Sequence, residues 1–87
     1  MPSFDELFET LNQRAQAGDG SSRTAELLEL GTHAIGKKIV EEAAEVWMAA
    51  EHEGKQATTE EIAQLIYHLQ VLMIDREISL EELEKEL

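Results

Sequence analysis

Two stretches of about twenty residues each repeat apolar side chains at the helical period and contain no proline. That double pattern constrains the fold more than any other feature. Ile35, Ile39, Ala43, Val46, Trp47 and Ala50 form the first stripe, and Ile62, Leu65, Ile66, Leu69, Leu72 and Met73 the second. A 3.6-residue period is incompatible with the two-residue alternation of a half-buried strand, so both segments read as long amphipathic helices. The only proline, Pro2, precedes the first helix and interrupts nothing. Ser3 with Glu6, Thr58 with Glu61 and Ser79 with Glu82 each match the Ser/Thr-x-x-Glu box, in which a side chain satisfies an otherwise unpaired amide at a helix start.

The pattern predicts an all-α helical bundle of four to five helices. A first helix over 3–17 turns Phe4, Leu7, Phe8 and Leu11 inward, and Gly18, Asp19 and Gly20 form a flexible connection after it. A second segment runs from Ser22–Thr24 to about Leu30, where Gly31 marks a stop or bend. The central helix spans 33–53 with Gly54 as its punctuation, the next spans 59–76, and a short helix over 80–86 closes the chain. Trp47, at apolar spacing, is expected in the core. A chain of 87 residues makes one domain, 1–87, too small to cover both stripes by itself. The bundle is therefore expected to be completed by homodimerisation.

Charge narrows the partners. Nineteen acidic against seven basic residues give a net charge of −12, which speaks against nucleic acid or an anionic membrane, since both require positive surface. No cysteine is present, which removes disulfides, thiolate metal sites and a cysteine nucleophile. With no apolar run of membrane-spanning length and no basic-then-apolar leader, the expectation is a soluble cytoplasmic protein.

The chemistry lies beside the apolar stripes. In Lys37-Lys38-Ile39-Val40-Glu41-Glu42-Ala43-Ala44-Glu45, three carboxylates fall within one third of a helix circumference, with Lys38 one turn earlier on the same stripe. Glu61 and Gln64 share a face of the following helix at i, i+3. Antiparallel pairing of the two helices would gather up to five oxygen-bearing side chains, Glu41, Glu42, Glu45, Glu61 and Gln64, a donor set that suits Mg²⁺ or Mn²⁺. In so acidic a chain, a solvated face is the competing explanation for any single carboxylate run; the second pair, and the apolar border of the first, favour metal. A hard cation among carboxylates keeps positions open for water and phosphate oxygens, as hydrolysis of a phosphoanhydride requires. Glu41 could be a ligand, a base or an orienting group. Lys38 is placed to contact phosphate, whereas Lys37 suits an i, i+4 ion pair with Glu41. His68 follows Tyr67 on the Glu61 face, either as a hydrogen-bonded, half-buried ring or as a phosphate contact. His33 and His52 read as capping or surface residues. A di-iron bundle needs Glu-x-x-His, and the residues three before the histidines are Leu30, Ala49 and Leu65, which excludes that class.

The E-E-x-x-E pattern at Glu41, Glu42 and Glu45, with Glu-Ile-Ala-Gln at 61–64, resembles the MazG-like all-α nucleoside-triphosphate pyrophosphohydrolases. Within them, Ser22-Arg23-Thr24, Gly36-Lys37-Lys38-Ile39-Val40-Glu41-Glu42-Ala43-Ala44-Glu45-Val46 and Leu65-Ile66-Tyr67-His68-Leu69-Gln70-Val71-Leu72 are similar to the phosphoribosyl-ATP pyrophosphohydrolase family, over nearly the whole chain. The resemblance implies a Mg²⁺-dependent homodimer that converts phosphoribosyl-ATP and water to phosphoribosyl-AMP and pyrophosphate in histidine biosynthesis. Carried over position by position, it implies Glu41 or Glu42, with Glu45 and Glu61, as metal ligands, with Glu41, Glu42 and Lys38 as the candidate catalytic groups, and it places Ser22 and Thr24 near the phosphates. The chain departs from the family at Gln64, where an aspartate is usual, and at Arg23, where an aromatic residue is more usual. A neutral amide at 64 lowers the negative charge of the site by one. Two alternatives remain from the residues alone: a pyrophosphohydrolase for another nucleotide, and a non-catalytic dimerisation module with a solubilising acidic face.

Overall fold

The computed structural model describes residues 3–17 and 22–87, and among them contains five helices and no strand. These are α1 (Phe4–Ala17), α2 (Arg23–Leu30), α3 (Thr32–His52), α4 (Lys55–Asp75) and α5 (Leu80–Glu86). The expected connection at 18–20 lies outside the described residues. Two of the three capping boxes form as read. Ser3 N–H donates to Glu6 Oε1 at 3.0 Å while Glu6 N–H donates to Ser3 Oγ at 3.2 Å, and Ser79 and Glu82 exchange the same pair at 2.9 and 3.1 Å.

The third box does not form, and the difference matters. Helix α4 starts four residues earlier than the sequence signal suggested, so Thr58 lies inside it and its hydroxyl donates to the Gly54 carbonyl at 2.8 Å. Gly54, in an extended conformation, follows the Glu53 cap of α3, as its punctuating role suggested, and is also the residue that precedes α4. A helical Thr often bonds back one turn in this way. Glu61 is thereby moved from the helix entrance into the second turn, where its side chain has no capping task.

Helices α3 and α4 form the most extensive contact in the molecule, an antiparallel hairpin joined at Glu53 and Gly54. Thr32 at the start of α3 donates its hydroxyl to Asp75 Oδ2 at the end of α4, 2.6 Å away, which locks the open end of the hairpin. Gly31 alone separates α2 from α3. Its φ of 97° with ψ of 179° is a conformation reserved in practice for glycine. The chain reverses there, so α2 runs beside the second half of α4, where Thr24 and Tyr67 hydroxyls meet at 2.8 Å.

The core occupies one end of the hairpin. Leu11, Leu27, Ile35 and Val71 form its centre, with Leu7, Leu28, Ile39, Tyr67, Leu72 and Ile74 packed around them. Gln70, fully buried, donates its amide to the Phe4 carbonyl at 3.0 Å and ties α1 to α4. Among the described residues, no third helix lies over the opposite end of the hairpin. Trp47, expected in the core, is 68 % exposed, with its indole N–H donated to the Glu51 carboxylate one turn on. Val40, Met48, Ile62 and Leu69 are exposed as well. The periodicity located the stripe correctly, but it could not say which part of the stripe this chain covers by itself.

Candidate metal centre

The carboxylates converge where the packed end of the hairpin gives way to the bare end. Glu42 and Glu45, one turn apart on α3, face Glu61 in the second turn of α4, and one oxygen from each lies within 4.8 Å of the others. The antiparallel register explains the meeting: the same geometry that sets Thr32 against Asp75 brings Glu45 against Glu61 closer to the turn. Glu42 is the deepest of the three, at 9 % exposure, and Glu45 is the most accessible.

Three carboxylates this close in an acidic chain strain one another electrostatically. Burial, followed by a hydrogen bond and charge repulsion from Glu45, pushes the Glu42 carboxyl above its ordinary value, while the neighbouring His68 and Lys38 pull in the opposite direction. Glu61 is raised for the same leading reasons, with further repulsion from Glu42 and Glu53. Its Oε2 atom is buried without a hydrogen-bond partner. A buried carboxylate oxygen left unpaired is unfavourable. A divalent cation seated among these oxygens would satisfy it and offset the repulsion, so the residues fit the group that their pattern suggests.

The other candidates take different places. Glu41 is exposed and is not one of the three converging groups. Gln64, one turn after Glu61, is exposed, and its backbone carbonyl accepts a hydrogen bond from His68 Nδ1 at 2.8 Å. Lys38 is half-buried one turn before Glu42 and interacts with it electrostatically. The Ser22 hydroxyl caps α2 by accepting from the Ala25 amide at 3.1 Å, and Thr24 is buried with its hydroxyl on Tyr67. Both hydroxyls therefore have partners within the fold. His33 and His52 are exposed, as their positions suggested.

His68 is more deeply placed than the sequence indicated, at 1 % exposure, with its ring edge-to-face against Tyr67 at 5.0 Å between centroids. A carbonyl can only accept, so Nδ1 carries a hydrogen and donates it to Gln64. Nε2 is left buried and unpartnered in the neighbourhood of Glu42. Sequence spacing put this histidine on the Glu61 face but gave no sign that its ring is locked by the backbone of the residue that departs from the usual pattern.

A second feature adjoins the carboxylates. A cleft of about 260 Å³ opens between α2 and α3, lined by Arg23, Glu26, Leu27, Leu30, Ala34, Lys37 and Lys38. The reversal at Gly31 creates it, by laying the two helices alongside each other across a single-residue link.

Comparison with known proteins agrees with these observations. The sequence profile of the phosphoribosyl-ATP pyrophosphohydrolase family matches residues 4–87. A protein of Streptomyces coelicolor named phosphoribosyl-ATP pyrophosphatase is 63 % identical over 81 residues, covering 92 % of this chain and 90 % of its own. Proteins of the same name from Bifidobacterium adolescentis and Salinibacter ruber are each 55 % identical, the first over the full length of both chains and the second over 94 % of each. With the profile spanning nearly every residue and identities this high across whole chains, the protein belongs to the phosphoribosyl-ATP pyrophosphohydrolase family.

Proposed function

We propose that this chain hydrolyses phosphoribosyl-ATP to phosphoribosyl-AMP and pyrophosphate, the second step of L-histidine biosynthesis, using Mg²⁺, or Mn²⁺ in its place. The observation that carries the reading is the convergence of Glu42, Glu45 and Glu61 from two helices of a chain that belongs to this family. A cation held by these three carboxylates would supply charge neutralisation for the phosphates and acidify water for attack on the phosphoanhydride. The protein's own groups do the rest. Glu42 and Glu61 are held by the hairpin with their oxygens facing Glu45, so the three carboxylates are already gathered before any cation arrives. Lys38 contributes a phosphate contact beside them. His68, fixed by the Gln64 carbonyl, limits where the Glu42 side chain can settle. Glu41 stands at the rim in a supporting place, and Gln64 offers at most a neutral oxygen there. Ser22 and Thr24 act on the substrate indirectly, by fixing α2.

The working unit we propose is a homodimer. Val40 and Trp47 on α3, and Ile62 and Leu69 on α4, are exposed apolar residues at seven-residue spacing. That spacing suits helix-on-helix packing with a second copy, which would cover the bare end of the hairpin and shield the carboxylates from bulk water. No described helix is long and apolar enough to cross a membrane; with the acidic surface, this supports a place in the cytoplasm, where a nucleotide substrate is available.

The test is pyrophosphate release from phosphoribosyl-ATP measured against ATP and deoxynucleoside triphosphates, with Mn²⁺ binding titrated in parallel. Preference for phosphoribosyl-ATP together with stoichiometric Mn²⁺ binding supports the reading. Faster turnover of a deoxynucleotide would replace the substrate, and absence of both binding and turnover would return the chain to the dimerisation module considered above.

A further inference from the structure

Phosphoribosyl-ATP differs from ATP by a second sugar phosphate, on the far side of the adenine from the triphosphate. We propose that the α2–α3 cleft is the subsite for that phosphoribosyl group, with Arg23 and Lys37 binding its 5′-phosphate and Lys38 at the boundary with the carboxylates. This rests on the function proposed above and names the part of the molecule that would make the enzyme prefer its substrate to ATP.

The distribution of charge is the first argument. The chain has seven basic residues against nineteen acidic, and three of the seven line this one cleft. Scattered solubilising lysines would not gather in the concave part of an acidic surface, where mutual repulsion opposes them. An anion offsets that repulsion, and guanidinium and ammonium groups together suit a phosphate dianion. The second argument is the rest of the lining. Glu26 is the only acidic group among the described lining residues, and a carboxylate accepts hydrogen bonds from sugar hydroxyls, while Leu27 and Ala34 give an apolar floor for the face of a ribose. A phosphate alone needs neither.

The third argument is position. Lys38 lies one helical turn from Glu42, so the cleft abuts the carboxylate cluster without overlapping it. From Ala34 to Glu42 the helix rises about 12 Å, a span suited to a ligand with phosphates at both ends. Arg23 and Lys37 are exposed, so their side chains are free to close on a ligand and their removal does not disturb the core.

The experiment combines steady-state kinetics with calorimetric binding of ribose 5-phosphate to the metal-free protein. Arg23→Ala and Lys37→Ala should each raise KM for phosphoribosyl-ATP by about tenfold, the loss of one charge-assisted hydrogen bond, with kcat within a factor of two. Both should weaken ribose 5-phosphate binding in step. Lys55→Ala and Arg76→Ala, exposed basic sites outside the cleft, should change neither quantity. A wild type that turns over phosphoribosyl-ATP while Arg23→Ala and Lys37→Ala keep its KM overturns the subsite and leaves the function standing. Equal KM increases in all four variants also overturn it, because they point to long-range attraction in place of a contact. If the wild type releases no pyrophosphate from phosphoribosyl-ATP, the functional reading falls and the subsite with it.

Discussion

As the proposed metal ligands, Glu42, Glu45 and Glu61 would trade stability for function, and the direction of that trade can be measured. Because the Glu42 and Glu61 carboxyls are raised in the folded protein, the native state holds protons that the unfolded chain has released. Their effect is therefore to lower stability as pH rises from the ordinary glutamate value through the raised values, and the penalty persists at neutral pH. Glu6 works with the opposite sign. Its backbone and side-chain hydrogen bonds with Ser3 lower its carboxyl, so its contribution is complete above the ordinary value and lost as pH falls through the lowered one. Metal-free protein should accordingly melt higher in mildly acidic than in neutral buffer. Glu45→Gln, which removes the charge that adds to burial in raising both neighbours, should raise the neutral-pH Tm, lessen this pH dependence and abolish most turnover. A metal-free Tm that falls in Glu45→Gln would contradict the mutual repulsion on which the account depends. At Gln64 the expectation is milder: Gln64→Ala should cost far less turnover than Glu45→Gln, and Gln64→Asp should be tolerated or tighten Mg²⁺ activation, because the His68 anchor uses the backbone carbonyl and survives both changes.

Helix ends decide what the elements can do. The sequence pattern located all five helices, and the capping boxes at Ser3 and Ser79 formed because nothing competes with them at the exposed ends of α1 and α5. Thr58 matched the same motif yet lies inside α4, since residues 55–57 carry no breaker and the helix extends back to Gly54. A local motif gives the chemistry of a start without excluding an earlier one. The clustering of carboxylates was likewise legible as a stripe, because i, i+3 spacing fixes neighbours on one helix. Which stripe members meet across the hairpin depends on register, and that brought in Glu42, Glu45 and Glu61 while leaving Glu41 outside. The α2–α3 cleft had no sequence signature, because it arises from one backbone conformation at Gly31. An added Cβ there would meet no atom within 4 Å, so Gly31→Ala tests the backbone alone. It should lower stability by about 1–3 kcal/mol, and chemical denaturation with an unchanged m value should report it. A neutral result would mean that α2 and α3 can join by another path.

Across the whole molecule, apolar surface is distributed unevenly, with a closed core at one end of the α3–α4 hairpin and Trp47, Met48 and Ile62 open at the other. Trp47 read as core from its spacing, and within one chain it is not. The spacing marks an apolar face without saying whether this chain covers it by itself. Trp47→Glu should leave the helical content intact and shift sedimentation from dimer to monomer, with turnover lost in parallel if the second copy shields the site. A wild type that sediments as a monomer at micromolar concentration would remove the proposed dimer. The bond between Gln70 and the Phe4 carbonyl has a consequence of a different kind. It joins points 66 residues apart, whereas the α3–α4 hairpin closes across a short link. Loop-closure entropy rises with the length of chain enclosed, so the hairpin should form early and α1 should dock last. Read in reverse, α1 is the part of the native protein that should detach first. Its amide hydrogens should exchange with deuterium ahead of those in the paired halves of α3 and α4, and Gln70→Leu should hasten that exchange in α1 while leaving the hairpin's rates nearly unchanged.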